Sequence, residues 1–127
     1  MIYADSSVIV AILLSQSGFE KYQALLDRSE KVWSSCLLEA EVFAAAARES
    51  VELDLAQAEL QKVALVSADR GLILEYKKIF TSGHCKGADA LHLATALYLD
   101  PTAKNLLFLT ADSNQKSIAQ KLGFRVE

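Results

Sequence analysis

Ile2-Tyr3-Ala4-Asp5-Ser6-Ser7-Val8-Ile9-Val10-Ala11-Ile12-Leu13-Leu14 reads as a strand, an acid and a helix in direct succession. Ile2-Tyr3-Ala4 is short and β-compatible and ends at Asp5. Ser6 or Ser7 can cap a helix over residues 8–14, because a short hydroxyl side chain accepts from the free N–H groups of a first turn. That helix is apolar nearly all round, so it belongs in the interior.

Working outward, the alternation repeats. Residues 15–18 break the first helix. Phe19, Tyr22, Leu25 and Leu26 share one face of a second helix, while Glu20, Lys21, Asp27 and Arg28 look outward. Lys31-Val32-Trp33-Ser34 is a strand candidate, and Ser34 or Ser35 can cap a helix from Cys36 to about Glu49, whose Ala44-Ala45-Ala46-Ala47 tract has high helix propensity. Residues 53–63 form a further helix; residues 63–66 read either as its end or as a short strand. Residues 69–80 are expected to be helical and 81–83 a break. Gly87-Ala88-Asp89 opens a helix through Leu99, stopped before Pro101. Residues 105–110 are a buried strand. Asp112 caps a helix over 113–122, with Gln115 completing a capping-box pattern; Gly123 stops it and Phe124-Arg125-Val126 is a last strand. Strands alternating with helices imply an α/β fold, a parallel sheet covered on both faces.

The 127 residues leave room for one domain, 1–127. One proline and five glycines are too few for a linker or a turn-rich β protein. Cys36 and Cys85 have no framework spacing, which suits a reducing, cytoplasmic setting. The first residues carry no basic segment ahead of an apolar run, so no signal peptide is expected. The apolar run 8–14 is far short of the ~20 residues that span a bilayer, so no membrane is expected as a partner. A net charge of −3 argues against coating nucleic acid through bulk positive charge. It is compatible with an enzyme whose acidic site binds a cation that meets phosphate.

In a parallel sheet, ligands bind beyond the carboxyl ends of the strands, which directs attention to Asp5 and Asp112. Each also has a purely structural reading as a helix-start residue, as does Asp89, where the helix dipole favours negative charge. Glu41 is harder to explain that way. Its neighbours three and four residues away are Leu37, Leu38, Ala44 and Ala45, so it projects from an apolar face and needs a partner. Glu39 has a similar setting, and spacing does not choose between them. His84-Cys85 and His92 lack zinc-ligand spacing; His92 lies one turn after Asp89 and reads as a partly buried polar residue that can sit near a site. Carboxylates without His or Cys suit Mg²⁺ or Mn²⁺. There is no Gly-rich phosphate loop, no Gly-x-Ser-x-Gly elbow and no HExxH.

These residues resemble the motifs of PIN domains. Asp5-Ser6-Ser7 is similar to the family's opening motif and Ser34-Ser35 with Glu41-Val42 to its second. Gly87-Ala88-Asp89-Ala90-Leu91-His92-Leu93-Ala94-Thr95-Ala96 resembles the third, and Leu109-Thr110-Ala111-Asp112 with Gly123-Phe124 the fourth. In order and extent the chain looks like the compact VapC-type toxins. The resemblance implies a three-layer α/β/α fold with a parallel sheet of about five strands. It also implies an acidic quartet of Asp5, Glu41, Asp89 and Asp112 as catalytic and metal-binding residues, supported by Ser6 and Thr110. A Glu followed by an aliphatic residue matches the motif, which favours Glu41 over Glu39. Many members carry a further acid just after the fourth motif, where Ser113 and Asn114 are neutral here; Asn114 takes a supporting place. The implied activity is Mg²⁺- or Mn²⁺-dependent cleavage of RNA, leaving a 5′-phosphate and a 3′-hydroxyl, with an antitoxin protein as partner and homodimers as the assembly. The apolar surplus over residues 37–47 supports a dimer. Lys86, Arg70 and Lys116 are candidates for steering RNA. The rival readings are a catalytically weak or inactive PIN-fold interaction module, a DNA flap nuclease, which needs more helical segments, and a receiver domain. The last requires paired acids after the first strand, which Asp5-Ser6-Ser7 lacks.

Overall fold

The computed structural model describes residues 1–127. Five strands, β1 (Ile2–Ala4), β2 (Val32–Ser35), β3 (Ala64–Val66), β4 (Leu107–Leu109) and β5 (Arg125–Val126), pair in parallel in the order β3-β2-β1-β4-β5. They alternate with α1 (Ser6–Leu13), α2 (Phe19–Arg28), α3 (Leu37–Arg48), α4 (Leu53–Leu60), α5 (Ile73–Ser82), α6 (Gly87–Leu99) and α7 (Ser113–Leu122). The period-2 alternation of each strand divides the core in two. On β1, Tyr3 enters one apolar cluster and Ile2 and Ala4 the other; on β4, Phe108 and Leu109 divide the same way. Residues of α5, α6 and α7 (Ile79, Leu93, Ile118) cover the Tyr3 side. Residues of α1, α3 and α4 (Val8, Leu38, Ala56) cover the other, with Phe19, Tyr22, Leu25 and Leu26 of α2 packed over them. This is the three-layer α/β/α arrangement, with the near-continuous apolar α1 buried as its composition demands.

Several boundaries differ from the sequence reading, each for a local reason. Residues 64–66 are a strand because they find a partner, Trp33 opposite Ala64 and Ser35 opposite Val66. The helix expected from residue 69 starts at Ile73. Before it, Asp69 accepts from the Tyr98 hydroxyl, and the Arg70 guanidinium reaches forward to the Glu75 carboxylate and the Gly71 carbonyl, which holds the segment as a loop. Residues 81 and 82 do not break α5: their hydroxyls donate to the carbonyls of Lys77 and Lys78 one turn back and stay satisfied inside the helix. Neither Ser6 nor Ser7 caps α1; Asp5 holds the N-cap position and makes no side-chain cap bond. Only half of the capping box at α7 forms. Asp112 Oδ1 accepts from Gln115 N, but the Gln115 side chain turns into the core instead of back to residue 112. Gly123 ends α7 in the left-handed region, φ 109°, which a glycine adopts without steric penalty.

The apolar surplus of residues 37–47 is used inside the chain, since Leu38, Val42, Ala45 and Ala46 are buried. Apart from Met1, the large apolar side chains left exposed lie on α4 (Leu53, Leu55) and α5 (Ile73, Leu74, Phe80). No helix is long and apolar enough to cross a membrane.

Candidate active site

The strand order reverses direction at β1, whose neighbours β2 and β4 are reached by opposite windings. A crevice forms outside the carboxyl ends of strands at such a point. Asp5 leaves β1 there and Thr110 leaves β4, and Asp5 N donates to Leu109 O at 3.2 Å, tying the two strand ends together.

Asp5 is almost fully buried, at 3% exposure. Its Oδ1 accepts from Ser7 Oγ and its Oδ2 from Thr110 Oγ1 at 2.7 Å. The same hydroxyl oxygens accept backbone protons, Ser7 from Ala111 N at 2.8 Å and Thr110 from Asp112 N at 3.0 Å. The Ser7 proton goes to Asp5, and the Thr110 proton favours Asp5 Oδ2 over the longer contact to Gln115 Oε1 at 3.4 Å, so the arrangement suits an acceptor-only carboxylate. Burial pushes the Asp5 pKa up, while the Ser7 and Thr110 hydroxyls oppose it.

A second constellation joins β1, α3 and α6. His92 is buried, with Nδ1 2.9 Å from the Tyr3 hydroxyl and Nε2 2.7 Å from Glu41 Oε1. Burial drives the Tyr3 pKa far above its ordinary value, so the phenol keeps its proton. The assignment that uses every proton has Tyr3 donating to Nδ1 and Nε2–H donating to Glu41. The partner that Glu41 needs on its apolar helix face is therefore supplied from within the chain. Glu39 is exposed and lines a separate cleft with Phe43, Gln57 and Leu65, whereas Glu41 shares a cleft with Ser6 and Ser7.

Asp89 stands half-buried in the first turn of α6. Burial raises its pKa, and the charge of Asp112 raises it further; Glu41 adds to the effect, while His92 and Lys86 oppose it. Asp112 is exposed and caps α7, with Gln115 N donating to Oδ1 at 2.9 Å. The fully buried Gln115 amide lies between the two halves, its Oε1 3.4 Å from Thr110 Oγ1 and its Nε2 donating to the Asp89 carbonyl at 3.3 Å.

The fold thus brings Asp5 and Thr110 into direct contact, joins Asp89 and Asp112 through their fields, and turns Glu41 toward the same edge. Ser6 lines the cleft, but its neighbour Ser7 holds Asp5. Asn114 is exposed and donates to the His84 carbonyl at 2.9 Å, fastening α7 to the loop before α6 rather than meeting the carboxylates. The residues that sequence reasoning passed over are Ser7, Tyr3, His92 as the partner of Glu41, and Gln115. For His92 the one-turn spacing from Asp89 was a signal; nothing local marks the other contacts, which cross between distant segments.

No three His, Cys, Asp or Glu side chains converge into a closed metal cluster. The donors nevertheless suit a hard cation. They are all oxygens, and the charges of Asp112 and Glu41 add to burial in raising the pKa of Asp89, a repulsion that a cation relieves. Mg²⁺ keeps several waters and binds through one or two carboxylates, so an open set fits it better than a cage. Among curated proteins none matches the chain. Residues 2–121 match the PIN domain. A match over nearly the whole length, carried by the fold and the acidic edge described above, shows that the chain belongs to the PIN domain family, whose members are in general metal-dependent nucleases.

Proposed function

We propose that the chain is an Mg²⁺- or Mn²⁺-dependent endoribonuclease of the VapC type, the toxin of a toxin–antitoxin pair. The observation that carries the catalytic part is the buried Asp5 carboxylate, fixed by two hydroxyls at the point where the sheet reverses. The bond from Thr110, on the far side of the β1–β4 seam, is not one that capping α1 requires. Asp5, Asp89 and Glu41 would hold the ion directly or through water, and Asp112 would hold a second ion or orient a water. When bound, the ion supplies positive charge opposite the phosphate and lowers the pKa of water. The chain's own groups do the positioning. Ser7 and Thr110 fix both oxygens of Asp5, His92 fixes one oxygen of Glu41, and the α7 cap fixes one oxygen of Asp112. RNA as substrate, an antitoxin as partner and a homodimer follow from the family likeness and belong to the proposal.

The test is incubation of the purified chain with an RNA pool, with and without Mg²⁺ or Mn²⁺, and mapping of the ends. Metal-dependent cuts with 5′-phosphate ends that disappear in Asp89→Asn are expected. Equal cleavage by that variant, or cleavage in chelator, would sink the reading.

A further inference from the structure

One stripe of α3 runs Glu41, Ala44, Ala45, Arg48, at the three- and four-residue intervals that align side chains along one helix face. The stripe forms one wall of a cleft of about 430 Å³, faced by Ser6 and Gln16. Glu41 at one end belongs to the acidic edge. Arg48 stands two turns away, roughly 10 Å along the axis at 1.5 Å per residue. The two alanines between them leave the cleft its depth. Arg48 is the only cation lining it, in a chain of net charge −3. Its only bond is from Nε to the exposed Glu49 at 3.2 Å, with both side chains more than half exposed, a contact of little strength. The two terminal nitrogens of the guanidinium remain available as a fork, the geometry that matches phosphate.

We propose that this cleft is a nucleotide subsite beside the cutting site. Arg48 takes a phosphate next to the scissile one, and the flanking base seats over Ala44 and Ala45 with its edge toward Gln16. The inference rests on the nuclease reading of the acidic edge. A concave site of this volume suits one unstacked nucleotide, as single-stranded RNA presents and a duplex does not. It also solves an electrostatic problem. An acidic edge repels the polyanion it is meant to cut, and a cation two turns along the same helix holds the strand without entering the carboxylate cluster.

The test uses the full chain with Asp89→Asn, so that RNA survives, titrated with fluorescently labelled single-stranded RNA in Mg²⁺ by anisotropy. Into that background go Arg48→Gln, Ala44→Leu and, as a surface control, Lys77→Gln. Positions 44 and 48 are exposed, so folding, checked by circular dichroism, is expected to survive. Arg48→Gln should weaken binding about tenfold, as loss of a charge-assisted bond to phosphate does, and lower the salt slope by about one. Ala44→Leu should weaken it by filling the cleft, and Lys77→Gln should not. Affinities equal to the parent in both cleft variants overturn the proposal, as does displacement of the RNA by a poly-glutamate peptide, which would show a site for acidic protein instead. Failure of the unsubstituted chain to cut RNA would overturn the nuclease reading separately, and the binding comparison would still decide the subsite.

Discussion

His92 Nε2 lies 2.7 Å from Glu41 Oε1, at the end of a relay that starts at the Tyr3 hydroxyl. A β1 side chain thus sets the orientation of an α3 carboxylate through an α6 imidazole. Removing the link in His92→Ala should lower kcat by about 10- to 100-fold, the usual effect of losing the group that orients a ligand. It should also cost about 1–3 kcal/mol, because two polar groups lose a buried partner. Tyr3→Phe should have a smaller effect of the same sign. Steady-state kinetics and denaturant melts check this; a His92→Ala enzyme with parental kcat would remove His92 from the site.

Asp112 has two roles that substitution separates. Asp112→Ser keeps an N-cap oxygen for Gln115 N and removes the charge. Asp112→Ala removes both and should cost about 1 kcal/mol in addition. Both should lose activity, and only the alanine variant should lose stability. An active, stable Asp112→Ser would reduce the residue to a helix cap.

Thr110→Val keeps the shape of the side chain and deletes the hydroxyl that donates to Asp5 and accepts from Asp112 N. A loss of about 1–3 kcal/mol is expected, along with most of the activity, since the buried carboxylate loses one of its two donors. Thermal melts and cleavage rates measured on one preparation test both.

The raised pKa of Asp89 makes a pH prediction. A carboxyl group whose folded pKa lies above its unfolded value of about 3.9 adds stability that is complete below that value and is lost as pH rises through the folded pKa. The metal-free chain should lose this part of its stability as pH rises above the unfolded value and through the raised folded one. Asp89→Asn should melt higher than the parent at neutral pH, and added Mg²⁺ should raise the parent's melting temperature and leave the variant's nearly unchanged. A metal-free Asp89→Asn that melts below the parent at pH 7 contradicts this.

Asp100 behaves oppositely. Burial works to raise its pKa, but the N–H groups of Leu106 and Asn105 outweigh that and hold it below the ordinary range. Its contribution is present above the unfolded pKa of about 3.9 and is lost as pH falls through the folded one. Asp100→Ala strands those donors ahead of β4 and should cost about 1–3 kcal/mol with the cleavage chemistry unchanged. Urea melts at pH 7 measure the loss.

Much of the fold was legible because its signals are local. The strand–acid–helix runs at Ile2-Tyr3-Ala4-Asp5 and at Leu109 to Asp112 announce parallel units, and Gly123 announces the end of α7. The errors lie where long-range contacts override local pattern. Residues 69–72 have helical composition, yet Tyr98 and Glu75 hold them in a loop. Gln115 fits a capping box by spacing, yet the core between Thr110 and Asp89 needs its amide more.

The same division runs through the site. From sequence alone came the parallel α/β class, the carboxyl edge as the place to look, and, through the family resemblance, four candidate acids, since period, capping chemistry and motif are properties of neighbouring residues. The motif favours Glu41 over Glu39, but only the tertiary structure puts the two in separate clefts, and only it decided that Ser7 rather than Ser6 grips Asp5 and that His92 and Tyr3 stand behind Glu41. Those facts depend on which side chains meet across up to 105 positions of chain. Such meetings are set by the strand order β3-β2-β1-β4-β5, which no local pattern encodes.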